Sequence, residues 1–292
     1  MPKIMYVPAE RNFLTAISGP EFIKGLPKPL HSFLAEYENA KKWVHRQTEV
    51  NLPIGEVKYR FDADSKSSMI VGEDYETDLL HGSSGFQSLV PLFVVTEYLA
   101  SLVLDTEDDP SREFFSVVQQ RNIQEKILKL ISSESEKSDG FYNNFEATIK
   151  ELIDIYNYKS FINIVEEPEQ NLYPDSQRKV IYSLIKSLNT IPTNQLVLTS
   201  HSPYILNFIT LSTEAYKIYS QDFVSIEKKI LLERIIPEES TVDIDKVFIY
   251  ELDGQGNINE IDKSCGFIDD QHALNTAFEK INEYFSTILD LE

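Results

Sequence analysis

The sequence is poor in several things that would have narrowed its function. It has one cysteine, Cys265, in 292 residues. One thiol can build neither a disulfide framework nor a CxxC metal site, and the usage fits a reducing cytosol. Basic residues are scarce: 27 Lys and Arg stand against 47 Asp and Glu, a net charge of −20. A broad nucleic-acid face is unexpected on such a chain, because neutralising phosphates needs clustered cations. No apolar signal core follows Met1, and the longest apolar stretch, Leu89 to Leu104, is broken by Thr96, Glu97 and Ser101. At that length and polarity no bilayer-spanning segment is expected.

Bulk apolar residues are present. Hydrophobic residues make up 42% of the chain, with 17 Phe and 15 Tyr, enough for a proper core and against global disorder. The length suits one large domain or a domain with a lobe. Ile4 to Val7 reads as a short strand, and Phe33 to Gln47 has helical spacing. Glu56 to Asp62 alternates polar and apolar residues as a half-buried strand, with Ser68 to Gly72 as its hairpin partner. A strongly apolar helix is expected from about Phe86 to Leu104. Helical stretches are expected over Arg112 to Ile131 and Phe141 to Tyr156, and with the apolar helix they form a lobe over about 86–157.

Two short apolar runs, Phe161 to Val165 and Gln195 to Thr199, are of the buried-strand type, and a helix beginning at Pro174 lies between them. Pro203 opens another helix. Strand, helix, strand, helix in that order predicts an α/β core with a parallel sheet. Val247 to Leu252 and Asn257 to Ile261 flank AspGlyGlnGly as a hairpin, and an amphipathic helix from about Asp269 to Leu291 ends the chain. The expected division is a core over 1–212 and an α+β extension over 213–292.

Three constellations carry chemistry. The run PheIleAsnIleValGluGluProGluGlnAsnLeuTyrPro, 161–174, ends a buried strand in two carboxylates, Glu166 and Glu167. Ligands of open α/β sheets bind at that carboxyl edge. Strand alternation would send the two side chains to opposite sides, one toward a metal-bound phosphate and one toward a water. LeuValLeuThrSerHisSerPro, 196–203, ends the next strand in His201, with a helix start that offers N–H groups to an anion. GlySerSerGlyPheGlnSer, 82–88, combines small residues with a helix start and would suit a phosphate or a simple serine cap.

These runs together resemble ABC-type ATPase heads of the AAA family 15 or 21 kind. Such heads are relatives of SMC-class heads and of the overcoming-lysogenization-defect ATPases. ValGluGluProGluGlnAsnLeuTyrPro is similar to their Walker B and D-loop, ThrSerHisSerPro to their switch, and SerSerGlyPheGln to their signature, in the family's order. The resemblance implies a P-loop NTPase-type fold, ATP and Mg²⁺ as cofactors, and hydrolysis coupled to head dimerisation. It implies that Glu167 polarises the attacking water, that Glu166 stands near Mg²⁺ where an aspartate is usual, and that His201 contacts the γ-phosphate. Ser84, Gly85 and Gln87 would face a nucleotide held by the opposing subunit, and Asn171 and Leu172 would lie in the D-loop at the dimer interface. Arg11, in ValProAlaGluArgAsn, resembles a recurring arginine of the family; a surface or salt-bridge role is expected for it.

One family part is missing. No Gly-x-x-x-x-Gly-Lys-Ser/Thr run occurs, and the nearest segment, GlyLeuProLysProLeuHisSer at 25–32, lacks the Gly-Lys pair. That loop's main-chain N–H groups and lysine hold the β- and γ-phosphates. Phe86 also replaces the second signature glycine, and 80 residues separate Gln87 from Glu167, more than in transporter cassettes. The family's N-terminal part is expected to have been lost by truncation, to be supplied by a separate polypeptide, or to have degenerated, and the chain alone is expected to be weak or inactive, as a homodimer or paired with a Walker A-bearing polypeptide, with an effector such as a nuclease as a further partner. The competing expectations are a non-catalytic interaction protein that keeps an ABC-like surface, and a metal-dependent hydrolase using Glu166, Glu167 and Glu169.

Overall fold

A computed structural model describes residues 2–17, 23–104, 158–263, 268 and 272–291. The helical stretches expected at 112–131 and 141–156, Cys265 and the Asp269–Asp270 pair lie outside the described residues.

The centre is a three-stranded parallel sheet in the order β1 (Pro2–Val7), β6 (Ser160–Glu166), β7 (Gln195–Thr199). Alternation along β6 puts Phe161, Asn163 and Val165 on one buried face, level with Met5 and Val7 of β1. Three helices cover that face: α1 (Lys28–Gln47), α2 (Ser84–Leu104) and α3 (Pro174–Leu188). The prolines opening α1 and α3 sit where a helix has no use for the missing N–H. The opposite face is far less covered: Ile4 is 61% and Val197 46% exposed.

A four-stranded antiparallel sheet, in the order β2 (Val50–Asn51), β3 (Lys58–Asp62), β4 (Ser67–Val71), β5 (Glu76–Asp78), packs beside α1. Its inward side chains Tyr59, Phe61 and Ile70 are buried. The expected hairpin is its β3–β4 pair. After β7 come α4 (Pro203–Tyr219), α5 (Ile226–Ile235), the hairpin β8 (Tyr250–Leu252) with β9 (Ile258–Glu260), and α6 (Ala273–Leu289). Helix α4 runs through residue 212, the expected boundary, and Ser212 donates to the carbonyl of Ser240. Asn189 donates to the carbonyls of Glu239 and Thr241, so the start of the extension is laced to α3 as well.

Helix α2 begins two residues before the expected start and, over 21 residues, is long and apolar enough to cross a membrane. The expectation that this stretch is too short for a bilayer is corrected on length, because the helix extends upstream to Ser84. Two-thirds of its most apolar window is nevertheless buried inside the molecule, against α1, β6 and α3. The described part of the expected lobe is thus core.

Two polar groups are locked in this packing. Asn163, fully buried in the middle of β6, donates to Thr96 Oγ1 of α2 at 3.0 Å, while its Oδ1 has no partner. Thr96→Val should leave the amide N–H unsatisfied and cost about 1–3 kcal/mol in denaturant unfolding. Adding Asn163→Leu, which removes both polar groups, should restore most of the loss. Glu97 accepts from Ser187 Oγ at 2.8 Å, and burial pushes its carboxyl above the usual range. The native state then keeps this proton at pH values where the unfolded chain has lost it. Stability falls as pH rises through the carboxylate range. Glu97→Gln should raise the melting temperature at pH 7, with the gain vanishing in acid as the wild-type carboxyl becomes protonated.

Candidate nucleotide-hydrolysis site

Strands β6 and β7 run in parallel register, Glu166 opposite Thr199, so the acidic turn and the ThrSerHisSerPro loop leave the sheet side by side. The strand ends at Glu166, and Glu167 takes a left-handed φ of +43°. A non-glycine residue there needs its neighbours to hold it. The Glu167 N–H donates to the carbonyl of Thr199 at 2.9 Å, and its own carbonyl accepts from Arg11 Nη2 at 2.8 Å. The turn, rather than strand alternation, therefore sets where Glu167 points.

The two carboxylates diverge as expected, for that different reason. Glu166 leans toward β1, where Oε2 accepts from the Ala9 N–H at 3.2 Å. It also hydrogen-bonds Tyr6, whose hydroxyl is pushed up to about 12, first by that bond, then by burial and by the charge of Glu166. Glu167 leans toward the switch-like loop, with Oε1 3.9 Å from His201 Nε2. The His201 ring is 88% exposed, open to a ligand above the sheet edge.

Arg11 is the residue whose expected role changes. It is neither on the surface nor in a salt bridge: it is fully buried, with no ion pair among the described residues. It lies in a 3-10 turn, Ala9–Leu14. Its guanidinium donates to four carbonyls: Pro8, Ser88, Glu166 and Glu167, at 3.2, 2.9, 2.7 and 2.8 Å. Burial lowers its pKa to about 10, against the opposing pull of Glu169, Glu167 and Glu166. The planar fork suits this task, since it presents several donors in fixed directions. One side chain thus ties the acidic turn to the first turns of α2. Only the ProAlaGluArgAsn run hinted at it, and nothing in a linear sequence says which carbonyls an arginine will meet.

The signature-like and D-loop-like segments touch each other. A Cβ added to Gly85 would sit 3.0 Å from the carbonyl oxygen of Asn171 and 3.4 Å from the Leu172 side chain. Asn171, at φ +60°, donates to Ser88 Oγ at 2.9 Å. Ser84 is exposed at the helix start. Gln87 turns inward: its amide donates to the carbonyls of Leu79 and Leu80, and its main-chain oxygen accepts from Thr15.

The loop leading into the helix after β7 is already partly occupied. Glu169 Oε1 accepts from both Ser200 Oγ and the His201 N–H at 2.8 Å, and the Ser202 N–H donates to Ser200 Oγ. Pro203 has no N–H, and the exposed His201 ring is a donor this loop offers. Glu169 is thereby a brace for the loop, although its Oε2 is buried without a hydrogen-bond partner. This also corrects the expectation of a metal held jointly by Glu166, Glu167 and Glu169. Among the described residues no group of three His, Cys, Asp or Glu side chains could hold a metal ion. A nucleotide-bound Mg²⁺ needs less: one or two carboxylates, the rest coming from phosphate and water. A single carboxylate, Glu166, would meet that demand. No Gly-x-x-x-x-Gly-Lys-Ser/Thr loop is present in the sequence to hold the phosphates.

Residues 144–206 match the AAA ATPase domain family. The AAA match spans β6, the acidic turn, α3, β7 and the first residues of α4, and so takes in Glu166, Glu167, Asn171, Leu172 and His201. Around that match the chain folds as a mixed α/β, P-loop NTPase-like partial core. The match supports a general AAA-type ATP-binding role with nucleotide, and it leaves Arg11, Ser84, Gly85 and Gln87 outside its bounds. No curated protein matches the chain.

Replacing Arg11 removes donors from carbonyls that stay buried. Arg11→Met should cost at least about 2 kcal/mol in urea unfolding, from the loss of charge-assisted hydrogen bonds. Arg11→Lys should recover less than half of this, because an ammonium cannot span four carbonyls.

Proposed function

We propose that the chain forms the acidic part of an ABC-type ATPase head. In this reading Glu167 orients and polarises the attacking water, and Glu166 stands beside Mg²⁺. His201 donates to the γ-phosphate. Catalysis of this type rests on positioning and electrostatics more than on covalent chemistry. Exposed Ser84 and Gly85, the latter close against Asn171 and Leu172, form one surface that meets the nucleotide of an opposing head when two heads pair. Gln87 supports that surface from beneath by holding the turn at Leu79 and Leu80.

The observation that carries the reading is the placement of Glu167 3.9 Å from an exposed His201 at the carboxyl edge of a parallel sheet. A water or terminal phosphate seated between an acidic side chain and an imidazole is what hydrolysis requires. The AAA ATPase match over the same residues supports it.

The phosphate cradle comes from a Walker A-bearing polypeptide, without which the affinity for ATP is low. The chain alone should show little or no Mg²⁺-dependent ATP turnover in a phosphate-release assay. With a Walker A-bearing polypeptide added, turnover should appear and fall at least about 100-fold with Glu167→Gln, in the range usual for a lost catalytic acid–base group. His201→Ala should lower it as well. Robust turnover by the chain alone would overturn the incomplete-site reading, and indifference of the restored turnover to both substitutions would overturn the assignment of the residues.

A further inference from the structure

We infer that α6, the last helix, is a dimerisation element through which two copies of this chain pair in antiparallel fashion. The inference goes beyond the function proposed above and stands without it. The contact involves no nucleotide and none of the acidic, switch-like or signature-like segments.

The first observation is an apolar helix face with nothing packed on it. α6 spans 17 residues. Ile281, Tyr284, Phe285 and Ile288 share one side of it at spacings of three and four. Glu279, Glu283 and Asp290 lie on the other side, with Lys280 at the border. Helices owe most of their stability in proteins to packing of such an apolar face. Here every residue from 279 to 291 is exposed. Ile281 is 60%, Tyr284 65%, Phe285 62% and Ile288 60% exposed, with Leu289 at 51% and Leu291 at 82% beside them. A contiguous apolar stripe of this kind marks an interaction surface.

The second observation is that the stripe complements itself. Leu274, Ala277, Ile281, Tyr284 and Ile288 alternate spacings of three and four, the seam of a helix pair, and no charge interrupts it. Laid antiparallel, Ile281 meets Tyr284 of the second copy and Ala277 meets Ile288, so a small side chain faces a large one. Each helix offers six exposed apolar side chains with on the order of 100 Å² apiece to lose. Covering both stripes removes on the order of 1,000 Å² from water, the size from which a specific contact holds.

Charge decides the occupant and the direction. Amphipathic helices that lie on membranes carry Lys and Arg on the polar side. The three carboxylates of α6 would instead be repelled by anionic headgroups. A second copy brings a further −20, so the two bodies must be kept apart. Each body is attached at the start of α6, where the Ala273 N–H donates to Glu251 Oε2 at 2.9 Å and His272 is buried. A parallel pair would set the bodies side by side. An antiparallel pair sets them at opposite ends of a rod about 25 Å long. That exceeds the screening length of about 8 Å at physiological salt, and the helix dipoles then oppose each other favourably.

Sedimentation of the full chain, without nucleotide or Mg²⁺, should show a concentration-dependent dimer. The double variant Ile281→Ala, Ile288→Ala keeps the helix, since alanine is the best helix former. It should weaken the dimer at least about 100-fold, because four apolar side chains of the pair lose their burial. Ser286→Ala, on the polar side, should leave it unchanged. In a Cys265→Ser background, Ala277→Cys chains should form disulfides with Ile288→Cys chains rather than with one another. A monomer at every concentration overturns the inference, whether the chain covers α6 itself or another protein does. A dimer indifferent to the double substitution overturns it too, as does one that needs Mg²⁺-ATP, because the pairing then lies elsewhere. Disulfides between two Ala277→Cys chains overturn the antiparallel arrangement. None of these outcomes depends on ATP turnover, so this inference and the proposed function fall separately.

Discussion

The structure turns on one buried guanidinium. Arg11 holds the carbonyls of Pro8, Glu166 and Glu167 through its two terminal nitrogens and that of Ser88 through its Nε–H. A left-handed glutamate at the end of a strand is an unfavourable conformation. It persists because its N–H is paired with β7 and its carbonyl with Arg11. The charge of the arginine is uncompensated by any single carboxylate, and burial lowers its pKa accordingly. Carbonyl oxygens, four of them, take the place of a counter-ion.

Every functional segment is reached from that point. The acidic turn is aimed by it, and the start of α2 is tied to it. Asn171 then joins the D-loop-like segment to the same helix through Ser88. On the far side of Glu167, Glu169 fixes the switch-like loop and leaves the His201 ring exposed. The sheet beneath is kept in register by apolar alternation and by the Asn163–Thr96 bond, a polar contact in an otherwise apolar layer. A small set of side-chain-to-backbone bonds thus converts three separate loops into one surface.

Among the described residues the same sheet is covered by helices on the side of Asn163, while on the reverse side Ile4 and Val197 are exposed.

Much of the fold was legible in the sequence. β7, the helix opening at Pro174, the β3–β4 pair and the acidic turn follow from alternation, apolar runs and proline positions, which are local signals. The pairing of Glu167 with His201 was legible as well, because a parallel β–α–β unit has little freedom in where its strand ends fall. Other things depended on residues far apart in the chain. Arg11 could not be told from a surface arginine, since its four carbonyls come from three separate segments. The loop before Pro203 reads as free until Glu169, more than thirty residues earlier, is found accepting from the Ser200 hydroxyl and the His201 N–H. The length of α2 reads as a membrane question until its neighbours bury it. By itself the sequence determined the elements and the order of the acidic, switch-like and signature-like segments, because these rest on periodicity and spacing. Only the tertiary structure decided which polar groups are already satisfied and which remain for a ligand, because a hydrogen bond is settled by distance in space.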